Sequence, residues 1–256
     1  RPRRQRALAR LSGRARGLVL SFLSLYALVS LVLPVSVLLF WMLRGMGAGQ
    51  DLPGIWAEAT RTLSVSVTAA AIAAIAAIPL AMVTARQWSK RASFVESSVW
   101  ATYSLPHIAV GVATVGFALT WARPLYQTIV LLMATYVAMF LAQAMSSTQD
   151  SIRRLNPNLE DASRGMGKSQ LQTLLRVTLP MIGPGMLAGA ALVFIGVVKE
   201  LPATLLLRPN GFETLAVRIW SATSEGFLTR ASFSSLILIT ISIIPIFLVT
   251  TRDLSN

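Results

Sequence analysis

Six long apolar runs are the feature that most limits how this sequence can fold. They lie at about 17–43, 63–85, 97–122, 125–145, 181–198 and 232–251, and a helix needs about 20 mostly apolar residues to cross about 30 Å of hydrocarbon. Inside a bilayer a helix satisfies its backbone hydrogen bonds within one segment. The sequence therefore predicts an all-α membrane protein with about six transmembrane helices.

The composition agrees with this prediction and argues against several kinds of functional site. Hydrophobic residues make up 54% of the chain, and the mean hydropathy is +0.64. The chain has no cysteine and one histidine, which disfavours a disulfide framework, a thiolate site and a histidine-rich metal centre. No run or loop contains paired carboxylates or a nucleophile triad, so a membrane enzyme is disfavoured too. We expect no cofactor.

The basic residues predict the orientation of the chain. The net charge is +13, but the Lys and Arg residues flank the apolar runs instead of forming the aromatic-interleaved patch of a nucleic-acid-binding face. Membrane proteins retain Lys and Arg on the cytoplasmic side. Placing the N-terminus inside puts 16 of the 23 basic residues there. We therefore expect a bacterial inner-membrane protein with both termini and a 146–180 loop in the cytoplasm.

This orientation divides the chain into two parts, a basic cytoplasmic linker at 1–16 and a transmembrane domain at 17–256. The spans are rich in small residues, as in "SVSVTAAAIAAIAAIPLAMVTA" and "GPGMLAGAALVFIG", which allow helix backbones to approach closely. Four prolines lie inside runs, where they bend or break a helix: Pro34, Pro79, Pro106 and Pro245. The sequence predicts a packed helical bundle, or half of one.

The polar stretch "EDASRGMGKSQLQTLLRVTLP", at 160–180, contains Gly-Met-Gly-Lys-Ser and superficially resembles a phosphate-binding loop. Such a loop needs a further glycine where this chain has Ala162, and it must follow a buried strand. The preceding residues, "SIRRLNPNLEDA", are too polar and too interrupted by proline for a buried strand. We conclude that this stretch is not a nucleotide site.

The same stretch has the signals of two short helices. Asn156 is a suitable N-cap with Pro157 in the first turn, Ser169 can cap a second helix, and Pro180 should close it. Apolar residues recur at helical spacing in both helices. The turn between them needs a residue free to take positive φ, which Gly167 supplies. Together these signals predict a docking knob on the cytoplasmic loop.

The knob resembles the cytoplasmic loop of ATP-binding-cassette importer permeases, which carries Glu-Ala-Ala, three residues, Gly, nine residues and Ile-x-Leu-Pro. In this chain the spacing of the motif is intact, and three residue types differ: Asp161 replaces Glu, Ser163 replaces the second Ala and Val177 replaces Ile. The resemblance implies a type I importer permease bundle whose loop docks on a separate cytoplasmic ATPase. The docking residues it implies are Glu160, Asp161, Ala162, Ser163, Gly167, Leu171, Val177, Leu179 and Pro180.

A second stretch, "VVKELPATLLLRPNGFETLAVRIW" at 197–220, resembles the ferric iron subgroup of these permeases, and the match holds throughout 199–209. The resemblance implies ferric iron as substrate, an external substrate-binding protein, a second permease half or copy, and no catalysis by this chain. Such permeases are often fusions of two halves. The arginine-rich start without methionine would suit the C-terminal half of such a fusion.

The candidate gate or pathway residues are Lys199, Glu200, Pro202, Arg208 and His107. Lys199 and Glu200 stand where the fifth run leaves the hydrocarbon, on the outer side. Lys199 can snorkel to the interface, whereas Glu200 suits a cation route or a salt bridge to the binding protein. His107 follows Pro106 and either lines the pathway or bonds to a neighbouring helix.

Two alternatives stay open. The first is an importer permease for another small solute, such as thiamine, a polyamine or a sulfate-type anion. The second is a secondary transporter, which is disfavoured because the spans carry no acidic residue at the expected mid-depth positions.

Overall fold

The computed structural model describes residues 12–50, 54–86 and 89–253, and within these ranges it is helical and contains no strand. Residues 1–11 of the expected linker lie outside the described residues, whereas 13–16 already belong to the first helix. The helices are α1 (Gly13–Gly47), α2 (Trp56–Arg86), α3 (Lys90–Ser104), α4 (His107–Trp121), α5 (Ile129–Arg154), α6 (Asn158–Gly165), α7 (Gln170–Val198), α8 (Pro202–Leu207), α9 (Leu215–Ser224) and α10 (Leu228–Asp253).

Five of these helices are long and apolar enough to cross a membrane: α1, α2, α5, α7 and the Leu228–Pro245 part of α10. The predicted span at 97–122 is not one straight helix, because this region forms α3 and α4, which meet at 104°. The break is at Pro106, which has no N–H to donate, and the preceding Leu105 is extended with φ −75° and ψ 144°. The count reaches six if this bent pair is one span.

Pro180 does not end the second loop helix, contrary to the prediction. Instead α7 runs through it, because the turn at 174–178 is wide and the N–H of Leu179 bonds to the carbonyl of Leu174. A π turn of this kind makes room for a proline ring, which would otherwise clash with the carbonyl four residues earlier. The connection between α5 and α7 is therefore 155–169, much shorter than the expected 146–180 loop.

The core of the bundle is formed by α2, α5 and α7, and small residues make their contacts close. The α2 face carries Ala69, Ala73, Ala77 and Ala81, all with no exposed surface. On α7, a Cβ added at Gly189 would stand 2.9 Å from the Cα of Ala144. The predicted close packing through small residues is thus observed.

The segment after α7 folds back on the N-terminal end of α2. Arg61 donates to the carbonyl of Gly211 at 3.0 Å, and the hydroxyl of Thr62 accepts from the N–H of Leu215 at 2.9 Å. Arg218 forms an ion pair with Glu58. The α5–α7 connection lies at the other end of α2, where Glu160 contacts Arg86.

Candidate functional site

The first candidate site is the knob, which we define as residues 158–175: α6, the glycine turn and the start of α7. Its first helix begins at Asn158, one residue later than predicted, although the side chain of Asn156 still accepts from the N–H of Asn158 at 3.1 Å. Gly167 has φ +83°, the conformation expected of the turn. The predicted cap at Ser169 forms a reciprocal capping box with Gln172.

The predicted docking residues divide into two groups in the structure. Glu160 and Ser163 are buried inside the chain, so they can hold the knob in place but cannot meet a partner. Val177 and Leu179 are half-buried. The exposed residues are Asp161, Ala162, Gly167, Leu171 and Pro180.

The outer surface of the knob is apolar. Four large side chains are exposed there: Leu159 (44%), Met166 (72%), Leu171 (63%) and Leu175 (54%). The apolar spacing that predicted two amphipathic helices therefore describes a face turned away from the bundle. Large exposed apolar side chains grouped on one element are typical of a binding site for another protein.

Glu160 anchors the knob to the rest of the chain. Both of its carboxylate oxygens accept hydrogen bonds from Arg86, the last residue of α2, and Oε1 also accepts from the hydroxyl of Thr178. The Arg86 hydrogen bonds lower the pKa of Glu160, although burial opposes this shift. The carboxylate therefore stays ionised at neutral pH.

Sequence analysis did not identify Arg86 or Thr178 as partners of the knob. The sequence offered one signal for such a partner. Glu160 lies beside the apolar positions of a helix, and a carboxylate that becomes buried needs a cation. Arg86 stands at a helix end on the same predicted side of the membrane, but so do several other basic residues.

The second candidate site is the central cluster, which we define as His107, Tyr136, Phe140, Glu200 and Thr204. His107 Nδ1 lies 2.6 Å from Glu200 Oε2, and Glu200 Oε1 accepts from the N–H of Ala203 at 3.0 Å. Thr204 donates to the carbonyl of Glu200, and the Tyr136 hydroxyl is 2.6 Å from the Thr204 hydroxyl. The His107 ring packs edge-on against Phe140 at 5.3 Å.

The neighbours of this cluster define where Glu200 lies in the bundle. Tyr136 and Phe140 lie near the middle of α5, roughly 10–17 Å along its axis from Ile129 at 1.5 Å per residue. Gly196 packs directly on the Phe140 ring. Glu200 is therefore buried beside the centre of α5, with 4% of its surface exposed. Its burial excludes a direct salt bridge to an external protein in this conformation.

The other predicted pathway residues do not join the cluster. Lys199 is exposed, and Pro202 opens α8. Arg208 bonds to the carbonyl of Phe212 at 3.2 Å and to Glu213 at 3.3 Å. Among the described residues, no group of three or more His, Asp or Glu side chains is placed to hold a metal ion.

The arrangement of the cluster is suited to polar passage through a bilayer. The break between α3 and α4 and the break between α7 and α8 meet beside α5, and each supplies one member of the His107–Glu200 pair. Broken helices that present polar groups at the bilayer midplane are typical of transporter binding sites. Tyr136 and Thr204 complete the cluster, but neither had a sequence pattern that distinguished it from other polar residues.

Sequence comparison places the chain among transport proteins. A family profile described as binding-protein-dependent transport system inner membrane component matches residues 77–252. An Fe(3+)-transport system permease protein of Haemophilus influenzae is 28% identical over 233 residues, covering 90% of this chain and 46% of that protein. The chain thus spans less than half of this relative. A probable molybdenum ABC transporter permease protein of Haloferax volcanii is 30% identical over 263 residues, covering 96% and 94%.

Solved structures with the same fold come from ABC importers. A bacterial alginate ABC transporter, in complex with an alginate-bound periplasmic protein, aligns with TM-score 0.69 at 15% identity, covering 91% of each chain. The inward-facing MetNI methionine transporter aligns with TM-score 0.61 at 18% identity, covering 79% of this chain and 97% of that one. At these identities the likeness concerns the fold.

Proposed function

The chain belongs to the family of binding-protein-dependent transport system inner membrane components, and from this membership we propose that it is the permease subunit of an ATP-driven importer. It forms a pathway together with a second permease half or copy and catalyses no reaction itself. A separate cytoplasmic ABC ATPase hydrolyses ATP, and an external binding protein delivers the substrate. The mature protein is a multi-pass protein of the bacterial inner membrane.

The exposed apolar surface of the knob is the observation that carries this proposal. Met166 follows the last residue of α6, and Leu171 and Leu175 lie on the first turns of α7. Glu160 and Ser163 anchor α6 from inside. An apolar surface on a rigid support is the arrangement expected of a protein-docking element. We propose the ATPase as its occupant, with Asp161 as a charged group at the edge of the contact.

Charge and the position of the knob support a proposed orientation. The knob lies beside Arg86 at one end of α2, whereas the 211–218 segment lies at the other end. With the basic ends of the spans inside, we propose that the knob and both termini are cytoplasmic and that 211–218 faces outward.

We propose ferric iron as the substrate. The relative from Haemophilus influenzae supports this proposal, as do the buried carboxylate and hydroxyl groups of the central cluster, because a hard cation prefers oxygen ligands. Two of the arginines proposed to face outward form ion pairs, Arg208 with Glu213 and Arg218 with Glu58. These ion pairs reduce the positive field that would oppose an entering cation.

An oxyanion is the second candidate, because the Haloferax volcanii relative is described as a molybdenum permease. The two substrates are distinguished by measuring ATP-dependent uptake in proteoliposomes that contain the full transporter and its binding protein. We expect uptake of radiolabelled ferric iron that excess unlabelled ferric iron suppresses and excess molybdate does not. ATP-dependent uptake of molybdate with no uptake of iron would contradict the substrate. Iron uptake driven by an ion gradient without ATP would contradict the importer class.

Glu200→Gln tests the role of the central cluster in transport. The substitution keeps an oxygen for the Ala203 N–H but removes the charge beside His107, so we expect uptake to fall by about tenfold, equivalent to about 1.4 kcal/mol at the barrier. The affinity for the binding protein should not change, because Glu200 is buried. Initial uptake rates and binding-protein pull-down measure the two effects.

Glu225→Gln is the matched control, since Glu225 is an exposed carboxylate in the turn after α9. It should transport like the unsubstituted chain. Unchanged uptake in Glu200→Gln would show that the central carboxylate has no role in the pathway. Weaker capture of the binding protein would show a docking role instead.

A further inference from the structure

Arg86 joins α6 of the knob to the end of α2. It is the C-terminal residue of α2, and its two terminal nitrogens donate to the two oxygens of Glu160. Such a forked contact constrains direction as well as distance. Glu160 is 6% exposed and also accepts from Thr178, which is 1% exposed. One carboxylate thereby connects α6 with α2 and with the wide turn of α7.

A second buried contact supports the first. The hydroxyls of Ser163 and Thr173 are 3.0 Å apart, and they are 1% and 4% exposed. This contact ties α6 to the first turn of α7 on the inner face of the knob. With the Arg86–Glu160 contact, α6 is held from two sides and cannot rotate without breaking buried hydrogen bonds.

The helices to which the knob is tied are themselves packed as one unit. The α2 alanines with no exposed surface face this core, and Gly185 and Gly189 of α7 lie directly against Ser151 and Ala144 of α5. Close-packed interfaces move as rigid bodies instead of deforming continuously. The knob is thus anchored to the most tightly packed part of the molecule.

The bent pair α3–α4 is attached differently. Its described side-chain hydrogen bonds to α5 join Tyr103 with Gln143 at 3.0 Å and Glu96 with Gln149 at 3.4 Å. The pair is also interrupted at Leu105 and Pro106: the N–H of Leu105 bonds back to the carbonyl of Thr102, and Pro106 has no N–H with which to continue the first helix. A motion of the knob would therefore displace α2, α5 and α7 first, and the α3–α4 pair would then bend at its break.

We propose that Arg86 is the positioning residue that transmits motion of the knob to the α2–α5–α7 bundle. This inference rests on the proposed function, in which an ATPase moves the knob. Arg86 is not part of the docking surface, because its guanidinium is directed at the buried Glu160. Removing Arg86 should leave the ATPase bound while disconnecting motion of the knob from the α2–α5–α7 bundle, whose α5 carries Tyr136 and Phe140 of the central cluster.

Arg86→Gln in the full transporter tests this role. We expect the ATPase to co-purify normally, whereas ATP-dependent uptake and the stimulation of ATP hydrolysis by loaded binding protein should each fall by about tenfold, within the range observed when a residue that carries coupling is replaced. Arg91→Gln is the matched control, because Arg91 is an exposed arginine near the start of α3 at the same end of the bundle. It should behave like the unsubstituted chain. Arg86→Lys should retain part of the coupling, since lysine keeps the positive charge but cannot form the paired hydrogen bonds to both oxygens of Glu160.

A reversible cross-link between positions 86 and 160 distinguishes a loss of motion transmission from a loss of folding. The chain contains no cysteine. The double variant Arg86→Cys, Glu160→Cys therefore carries two thiols and no others. We expect this variant to be uncoupled when reduced and to regain stimulated hydrolysis and uptake when a short bifunctional methanethiosulfonate joins the two positions. Adding reductant should uncouple the same preparation again.

Three results would overturn the role of Arg86. They are normal stimulation and uptake in Arg86→Gln, loss of the ATPase from Arg86→Gln complexes, and failure of the linked double variant to recover. Absence of ATP-dependent uptake by the unsubstituted transporter is a separate result, because it would contradict the proposed function itself.

Discussion

Leu171→Asp is expected to release the ATPase from the transporter while the chain still inserts and folds. Leu171 is 63% exposed on the first turn of α7, so its replacement removes little internal packing. At the centre of an apolar docking contact, a buried carboxylate without a partner would be costly. We expect affinity for the ATPase to fall by about thirtyfold or more, which corresponds to a hot-spot loss of about 2 kcal/mol. ATP-dependent uptake should fall with it.

Gln170→Asp is the control for this result. It introduces the same charge one residue away, at an exposed position in the first turn of the same helix, where a carboxylate suits the helix N-terminus. Co-purification of the ATPase and uptake of substrate should both persist. If Leu171→Asp retained the ATPase, the knob would not be the docking element, and the proposed cytoplasmic orientation would lose its main functional support.

Gly189→Ala is expected to lower the free energy of unfolding by about 1–3 kcal/mol, the usual cost of overpacking a close contact. The new Cβ would stand 2.9 Å from the Cα and 3.1 Å from the carbonyl oxygen of Ala144, both backbone atoms. Neither can move aside without shifting α5 relative to α7. Reversible unfolding of the purified chain in mixed detergent micelles measures the change.

Gly183→Ala provides the matched control in the same helix. Nothing lies within 4 Å of a Cβ at Gly183, so the substitution should be neutral or should stabilise the helix by up to about 1 kcal/mol through its higher helix propensity. Equal effects at the two positions would show that the α5–α7 contact is looser than the structure indicates.

Much of the fold was predictable because it depends on local sequence. Long apolar runs predict spanning helices, and small residues predict close packing, since each is a property of one segment and its solvent. The predicted Ser169 cap and the positive φ of Gly167 were correct for the same reason. The outcomes differed at prolines: Pro106 was expected to bend or break its run and does break it, whereas Pro180 lies within a helix that it was expected to end. The outcome at each depends on whether neighbouring turns can widen, which composition does not show.

The candidate sites were predictable only in part. The register of the loop identified the knob and its nine docking candidates, but exposure assigns Glu160 and Ser163 to internal support and Leu171 to the surface. The pathway prediction named His107 and Glu200 separately, and their direct contact was not foreseen. Glu200 was expected at the outer end of a span because hydropathy reports where an apolar run stops. It does not report where the following chain folds back.

The sequence by itself determined the helical membrane character, the positions of the spans and the presence of the knob, because these follow from hydropathy, helical period and turn residues within short windows. The tertiary structure alone decided which polar groups meet. His107 and Glu200 are 93 residues apart, and Arg86 and Glu160 are 74 apart. Each pair meets because close packing of α2, α5 and α7 fixes where the flanking helices break and turn. A buried charge is stable only where that packing also brings a partner, and this condition depends on the whole bundle.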